Sequence, residues 1–299
     1  MPRVKKASQI NRLRGFLFFS PLLIFLSCAT LSPVDSAREK PVVFKTVETV
    51  EPQWQSFAAD IGYFHGKIAE PKIEFWALRI DLASAQTRIV VKGGSSDGSR
   101  TLSAKVSGFV RDNGLIAGIN AVPFDISTSK EGVPIQNMGI VISGGEEIAP
   151  ANPRYDALVF YKDGMAQIVN QSAIQSMKNI ENAVGAFHHI LINGEPAERT
   201  LNRETRYPRS AAGISANGDF LYLLVIDGRR SGSVGATEKE TALLLRLLGS
   251  ENGINLDGGG SSALALRYSD GKVRVVNTPV HGGIPGRERA VAGCLGIGN

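Results

Sequence analysis

Cysteine is nearly absent from this chain, with only Cys28 and Cys294 in 299 residues. A framework of several disulfides, of the kind that holds small secreted modules, is therefore excluded. Histidine is scarce as well, at four residues. His188 and His189 are adjacent and fall on opposite faces of a predicted strand, while His65 and His281 are isolated and read as surface side chains. None has a partner at the spacing of a zinc helix motif, so neither a metal centre nor a cofactor is expected. The chain lacks a G-x-S-x-G elbow, the lysine of a phosphate-binding loop and the glycine spacing of a dinucleotide fingerprint. Long apolar runs are missing too. The longest, Phe16 to Cys28, spans thirteen residues, against about 20 for a membrane-spanning helix. The net charge is only +5, much of it in Arg3, Lys5, Lys6, Arg12 and Arg14. The body is close to neutral, and nucleic acid is not an expected partner.

Those N-terminal cations followed by the short apolar run have the form of an export signal. Cys28 ends the run between Ser27 and Ala29. This resembles the cleavage box of bacterial lipoproteins, with Phe25 where leucine is usual. It implies a signal over residues 1–28, lipidation of Cys28 and an envelope location with a lipid anchor in the membrane. Residues 29–50 carry Pro33, Asp35, Glu39 and Pro41 with little periodicity and read as a tether. One domain, 51–299, follows. With Cys28 lipidated, Cys294 has no disulfide partner and reads as a buried core thiol.

Short apolar runs punctuated by turns dominate that domain. Ile73–Ile80, Thr87–Val91 and Leu115–Ile119 read as strands. Asp163-Gly164, Asn217-Gly218 and Asp270-Gly271 each separate two apolar runs and predict hairpins. Helices are predicted at Leu102–Val110, with Ser99 or Thr101 as cap, at Ile174–Asn182, and at Thr237–Leu248. The last is the clearest, because Thr237 and Glu240 have the spacing of a capping box. The expected fold class is α+β, a large mixed or mostly antiparallel sheet with a few packed helices.

Chemistry concentrates at the ends of these runs. Asn255-Leu256-Asp257-Gly258-Gly259-Gly260-Ser261-Ser262 leaves a short apolar strand. Consecutive glycine N–H groups can form an anion-binding nest beside a carboxylate. A tight sheet crossover with Asp257 as a turn cap explains the same residues. Four more polar clusters lie at strand ends: Asn120 with Phe124-Asp125, Tyr207-Pro208-Arg209-Ser210, Asp227-Gly228-Arg229, and Gly286-Arg287-Glu288-Arg289. They offer arginines for an anion and carboxylates for acid–base work. Glu240 has a sufficient structural reason in the capping box and a possible catalytic one.

In their order along the chain, Pro208 to Gly213, Asp227-Gly228-Arg229, Gly235-Ala236-Thr237 with Glu240, Asn255 to Ser262, Asn277-Thr278-Pro279 and Arg287 to Val291 resemble the landmarks of the phosphodiester glycosidase family. The resemblance spans roughly residues 70 to 299. It implies hydrolysis of the glycosidic C–O bond of a sugar-1-phosphodiester, with a phosphorylated envelope glycan as partner. Asp257 would act at the anomeric centre and Glu240 or Asp227 as second carboxylate. Arg209, with the Gly258, Gly259 and Gly260 backbone, would hold the phosphate. Arg229 and Arg287 would be further anion contacts, and Ser210 and Ser261 would supply hydroxyls. Asn120 would bind sugar hydroxyls, with Asp125 nearby. The family's Asn-Gly-Gly-Phe-Phe-like segment is Asn120-Ala121-Val122-Pro123-Phe124-Asp125 here. If that turn covers the sugar, the usual substrate is obstructed. Two other readings follow: a non-catalytic glycan-binding or structural envelope lipoprotein, and a phosphodiesterase. The last would need Asp125, Asp227 and Asp257 to converge on a divalent ion.

Overall fold

The structure, a computed structural model, describes residues 52–94, 100–125 and 130–299. The expected export signal, the Cys28 lipidation site and the tether lie outside the described residues. Three antiparallel sheets make up most of the domain. The largest has eight strands, in the spatial order 55–58, 61–68, 73–81, 220–226, 209–214, 252–255, 188–192 and 195–196. A second, five-stranded sheet runs 166–170, 156–161, 180–186, 141–143, 146–149. A third, also of five strands, runs 273–275, 264–267, 117–120, 294–298, 88–91. The expected α+β class is what the chain adopts, with the sheets antiparallel rather than mixed.

The strand Phe220–Ile226 shows how the layers are held. Successive side chains of a strand point to opposite faces. Leu221, Leu223 and Val225 enter the core shared with the five-stranded sheets, beside Leu158, Val184, Ile119, Leu264 and Leu295. Tyr222, Leu224 and Ile226 enter a second core, against Leu243, Leu244, Leu245 and Leu248 of the helix Glu238–Leu248. Both faces are covered, so the run Leu221 to Ile226 is apolar without alternation. Each such leucine contributes about 1.5–3 kcal/mol on burial.

The helix Glu238–Leu248 starts as its sequence predicts. The Glu240 N–H donates to Thr237 Oγ1 at 3.1 Å and the Thr237 N–H donates to Glu240 Oε2 at 2.9 Å, completing the capping box. Gly249 closes the helix at φ 112°, a conformation open to glycine. Of the two other helix expectations, one is shifted along the chain and one fails. Residues 100–102 form a strand with 134–136, and the helix starts only at Val106, running to Asp112. Its N-terminal groups are met from far along the chain: the Ser107 N–H and hydroxyl donate to the Glu288 carboxylate at 2.9 and 2.6 Å. Ile174–Asn182 holds no helix, since Ile180–Ala186 is a strand between 156–161 and 141–143. Long-range pairing there overrides a weak local signal.

The layout brings two strand ends together. Asn252–Asn255 lies in the middle of the eight-stranded sheet and Ala117–Asn120 in the middle of a five-stranded one. The chain leaves both at one place, where the Asp257 N–H donates to the Ala121 carbonyl at 2.9 Å.

Candidate active site

The triglycine turn sits where those strands end. The Gly259 N–H donates to the Pro208 carbonyl at 2.8 Å, which ties the turn to the start of the neighbouring strand. Gly259 has φ 64°, a region that favours glycine. A Cβ there would also come within 3.1 Å of the Arg229 guanidinium. One on Gly258 would meet the Pro208 carbonyl oxygen at 3.0 Å. The glycines are therefore required by close approach, from Pro208 beneath and from Arg229 beside. Because one N–H of the expected nest is already engaged by Pro208, the side chains around the turn carry more of the charge on any bound anion.

Asp257 keeps some exposed surface, yet its Oδ2 is shut from solvent and has no hydrogen-bond partner. Burial pushes its carboxyl up, and the Ser261 hydroxyl, the Arg289 charge and the Gly258 N–H pull it partly back. The balance leaves it at about 6. A carboxyl so displaced, with a buried oxygen left unengaged, is a common mark of a working acid or base.

Cations surround it. Arg289 is 9% exposed, its guanidinium 4.9 Å from the Phe124 ring, and it donates to Ser261 Oγ at 3.4 Å. Its Nε is buried without a partner. Arg229 is exposed, with φ 59° in the left-handed region that non-glycine residues seldom occupy. Its guanidinium lies against Gly259 and 6.0 Å from the Tyr207 ring. Arg287 is exposed on the hairpin that carries His281. The arrangement is one raised carboxyl and three arginines around a glycine turn, a setting for an anionic group next to a centre that gains positive charge.

Several expected ligands are engaged elsewhere. Asn120 is fully buried: its Nδ2 donates to the Asp257 carbonyl at 2.6 Å, and its Oδ1 accepts from Ser210 Oγ at 2.7 Å and from the Ala263 N–H at 3.1 Å. Asn120 and Ser210 thus join strands and are not available to a sugar. Arg209 is turned into a buried network, donating from Nε to the Ala236 carbonyl at 3.1 Å and from a terminal nitrogen to the Thr205 carbonyl at 3.3 Å. Its other terminal nitrogen lies 3.7 Å from Glu238, which in turn bonds His188 at 2.9 Å. Asp125 is exposed just beyond Phe124.

Neither candidate for a second carboxylate is free. Glu240 is held by Thr237 and by the Arg206 guanidinium. Asp227 is 1% exposed and accepts from Asn277 Nδ2 at 3.0 Å, from the Thr278 N–H at 3.0 Å and from Arg230 at 2.6 Å. Burial raises its carboxyl, while Asn277, Thr278 and Arg230 lower it. Asp227 acts as a brace, since Asn277 also donates to the Ser262 carbonyl at 3.0 Å, next to the turn. Glu240→Ala should therefore lose about 2 kcal/mol of stability, through the cap and the lost pairing with the half-buried Arg206. Its kcat should stay within about twofold of wild type; urea unfolding alongside turnover checks this.

The side chains of Ala121 and Val122 in the substituted segment point into the core. Ala121 and Val122 are fully buried core residues, and Val122 Cγ2 lies 2.4 Å from where a Cβ on Gly293 would be. The added bulk fills the interior opposite a glycine, so the expected obstruction of the sugar does not arise from these side chains. Among the described residues, no three His, Cys, Asp or Glu side chains gather as metal ligands, so Asp125, Asp227 and Asp257 do not converge on one ion. Sequence reasoning grouped Arg289 with Arg287 but singled out only Arg287, and took His281 as a surface loop residue by default, with lining the cleft as the alternative. The two arginines lie two residues apart in a segment that is not a regular strand, yet one is exposed and the other is buried against Phe124.

The fold is found in solved structures. The catalytic domain of zebrafish N-acetylglucosamine-1-phosphodiester alpha-N-acetylglucosaminidase, auto-inhibited by its pro-peptide, superposes with TM-score 0.61 at 20% identity, over 84% of this chain and 89% of that one. A hypothetical protein from Synechocystis gives TM-score 0.55 at 15% identity, over 84% of this chain and 64% of that one. No functionally curated protein matches the sequence significantly. The sequence model of the phosphodiester glycosidases matches residues 113–298, which takes in Asp257, the glycine turn and all three arginines. Since that match covers over half the chain, the chain belongs to the phosphodiester glycosidase family, whose members are hydrolases acting on phosphodiester-linked sugars.

Proposed function

We propose that the protein hydrolyses the bond between the anomeric carbon of a sugar and the phosphate oxygen of a sugar-1-phosphodiester, in an exported glycan of the bacterial envelope. The observation that carries this is the Asp257 carboxyl, raised to about 6 with one oxygen unengaged, beside Arg289 and the glycine turn. Asp257 faces the anomeric carbon and, when ionised, stabilises the oxocarbenium-like charge that develops there. Arg289, Arg229 and Arg287 hold the phosphate. A phosphodiester oxygen is a good leaving group, so cationic stabilisation replaces much of the general-acid help that an ordinary glycoside needs. This fits a site with one free carboxylate and several guanidinium groups. The envelope location rests on the export-signal pattern and Cys28 in residues 1–28.

Hydrolysis in ¹⁸O-labelled water tests the reaction. With a panel of sugar-1-phosphodiesters and the full-length protein, the label is expected in the free sugar, and the released phosphomonoester should carry none. Label in the phosphate would mean attack at phosphorus and would make the protein a phosphodiesterase.

A further inference from the structure

The two carboxylates expected to complete the usual glycosidase pair, Glu240 and Asp227, are both tied into the fold. Water that ends the reaction must still lose a proton, and Asp257 faces the anomeric carbon. Among the described residues, a further titratable group at the turn is His281. It lies on the two-residue strand Val280–His281, paired with Ile284–Pro285. A Cβ on Gly260 would sit 3.4 Å from His281 Nδ1, so the imidazole lies directly against the third glycine after Asp257.

The other three histidines are each paired with a carboxylate: His65 with Glu74 at 3.0 Å, His188 with Glu238 at 2.9 Å and His189 with Asp156 at 2.6 Å. Among the described residues, neither ring nitrogen of His281 has a hydrogen-bond partner. Its ring is half-exposed, on the side of the turn where Arg289 acts on both His281 and Asp257. The charged groups around it are Arg287 of its own hairpin, Arg289 of the C-terminal segment and Asp257 of the turn. Burial, then Arg289 and Arg287, hold its basicity below the ordinary value, so the ring is the free base at neutral pH.

We infer that His281 is the general base of the reaction, taking the proton of the attacking water across the glycine turn from Asp257. This assignment rests on the glycosidase reading above. As the water oxygen bonds to the anomeric carbon, the carbon–oxygen bond to phosphate breaks and its electron pair leaves on the phosphate oxygen. The water proton passes to a ring nitrogen of His281 and then to solvent. If Asp257 first forms a covalent link to the sugar, His281 performs the same task for the water that releases it.

His281→Gln and His281→Ala in the full-length protein test this, with ¹⁸O-verified turnover as the assay. Both variants should lose about 10²- to 10³-fold in kcat with KM within about threefold. At pH values acid to both titrations, log(kcat/KM) of the wild type should fall with slope near 2, since Asp257 must be ionised and His281 neutral; in His281→Gln the slope should be near 1. Added imidazole should restore turnover to His281→Ala. Kcat near wild type, a raised KM with kcat retained, or an unchanged slope would each overturn the assignment, the second marking His281 as a phosphate contact. A wild type that releases no free sugar from any substrate would remove the glycosidase reading and this assignment together. Wild-type turnover with unaffected His281 variants would remove this assignment alone.

Discussion

Asp257→Asn is expected to abolish cleavage and at the same time to stabilise the protein at neutral pH. The loss in kcat should be at least about 10³-fold, because the amide neither ionises nor opposes the charge at the anomeric carbon. The stability gain follows from the same burial that raises the carboxyl. Its value in the fold is about 6, against 3.8 as its ordinary value. A group whose folded value lies above its unfolded value binds its proton more tightly when folded. Ionisation therefore opposes folding above about pH 6, and the penalty disappears as the pH falls below the unfolded value. Two units correspond to about 3 kcal/mol. The variant should then exceed wild type by up to about 3 kcal/mol at pH 8, with the difference shrinking to near zero below pH 4. Urea midpoints at several pH values, measured beside turnover, check both halves. Equal stability at pH 8 would mean that Asp257 has its charge well solvated, and retained cleavage would remove it from the mechanism.

The second large effect is expected at Asn120, and it falls on the fold. Its side chain joins three segments far apart in sequence: Ser210 in the eight-stranded sheet, Ala263 after the turn, and the backbone of Asp257 itself. Asn120→Ala leaves the Ala263 N–H, the Asp257 carbonyl and the Ser210 hydroxyl without their partner in a fully buried place. At about 1–3 kcal/mol for each group so stranded, with some relaxation, the variant should lose about 3–5 kcal/mol. Asn120→Asp should be no better, since it replaces the NH₂ that meets the Asp257 carbonyl with an oxygen. Denaturant unfolding gives the magnitude. A role in binding sugar hydroxyls would show the opposite pattern: unchanged stability and a raised KM.

These two residues show what a one-dimensional reading can and cannot reach. Asn120 and Asp257 both stand at the end of an apolar run, both polar, both beside residues that permit tight turns. Their sequence surroundings do not say that one has every side-chain atom engaged and the other has an oxygen left over. That depends on whether a partner arrives from elsewhere. For Asn120 the partners lie 90, 137 and 143 residues away. The same holds for Arg209, whose guanidinium meets Glu238, Ala236 and Thr205. Arg289 is the converse case: two residues from the exposed Arg287, it is buried against Phe124 and its charge acts on Asp257.

What the sequence determined by itself is whatever depends on neighbours in the chain. The hairpins at Asp163-Gly164, Asn217-Gly218 and Asp270-Gly271 and the capping box of Thr237 and Glu240 are short-range structures, and they form where their residues predict. The ordered landmarks from Pro208 to Arg289 likewise identify the family. The tertiary structure alone decided the placement of Ile180–Ala186 between two strands, the burial of Val122 against Gly293, and which polar groups at the strand ends remain available. A turn or a cap is made by contacts within a few residues, whereas the fate of a buried hydrogen-bonding group is settled by whichever distant segment the packing of the sheets brings against it.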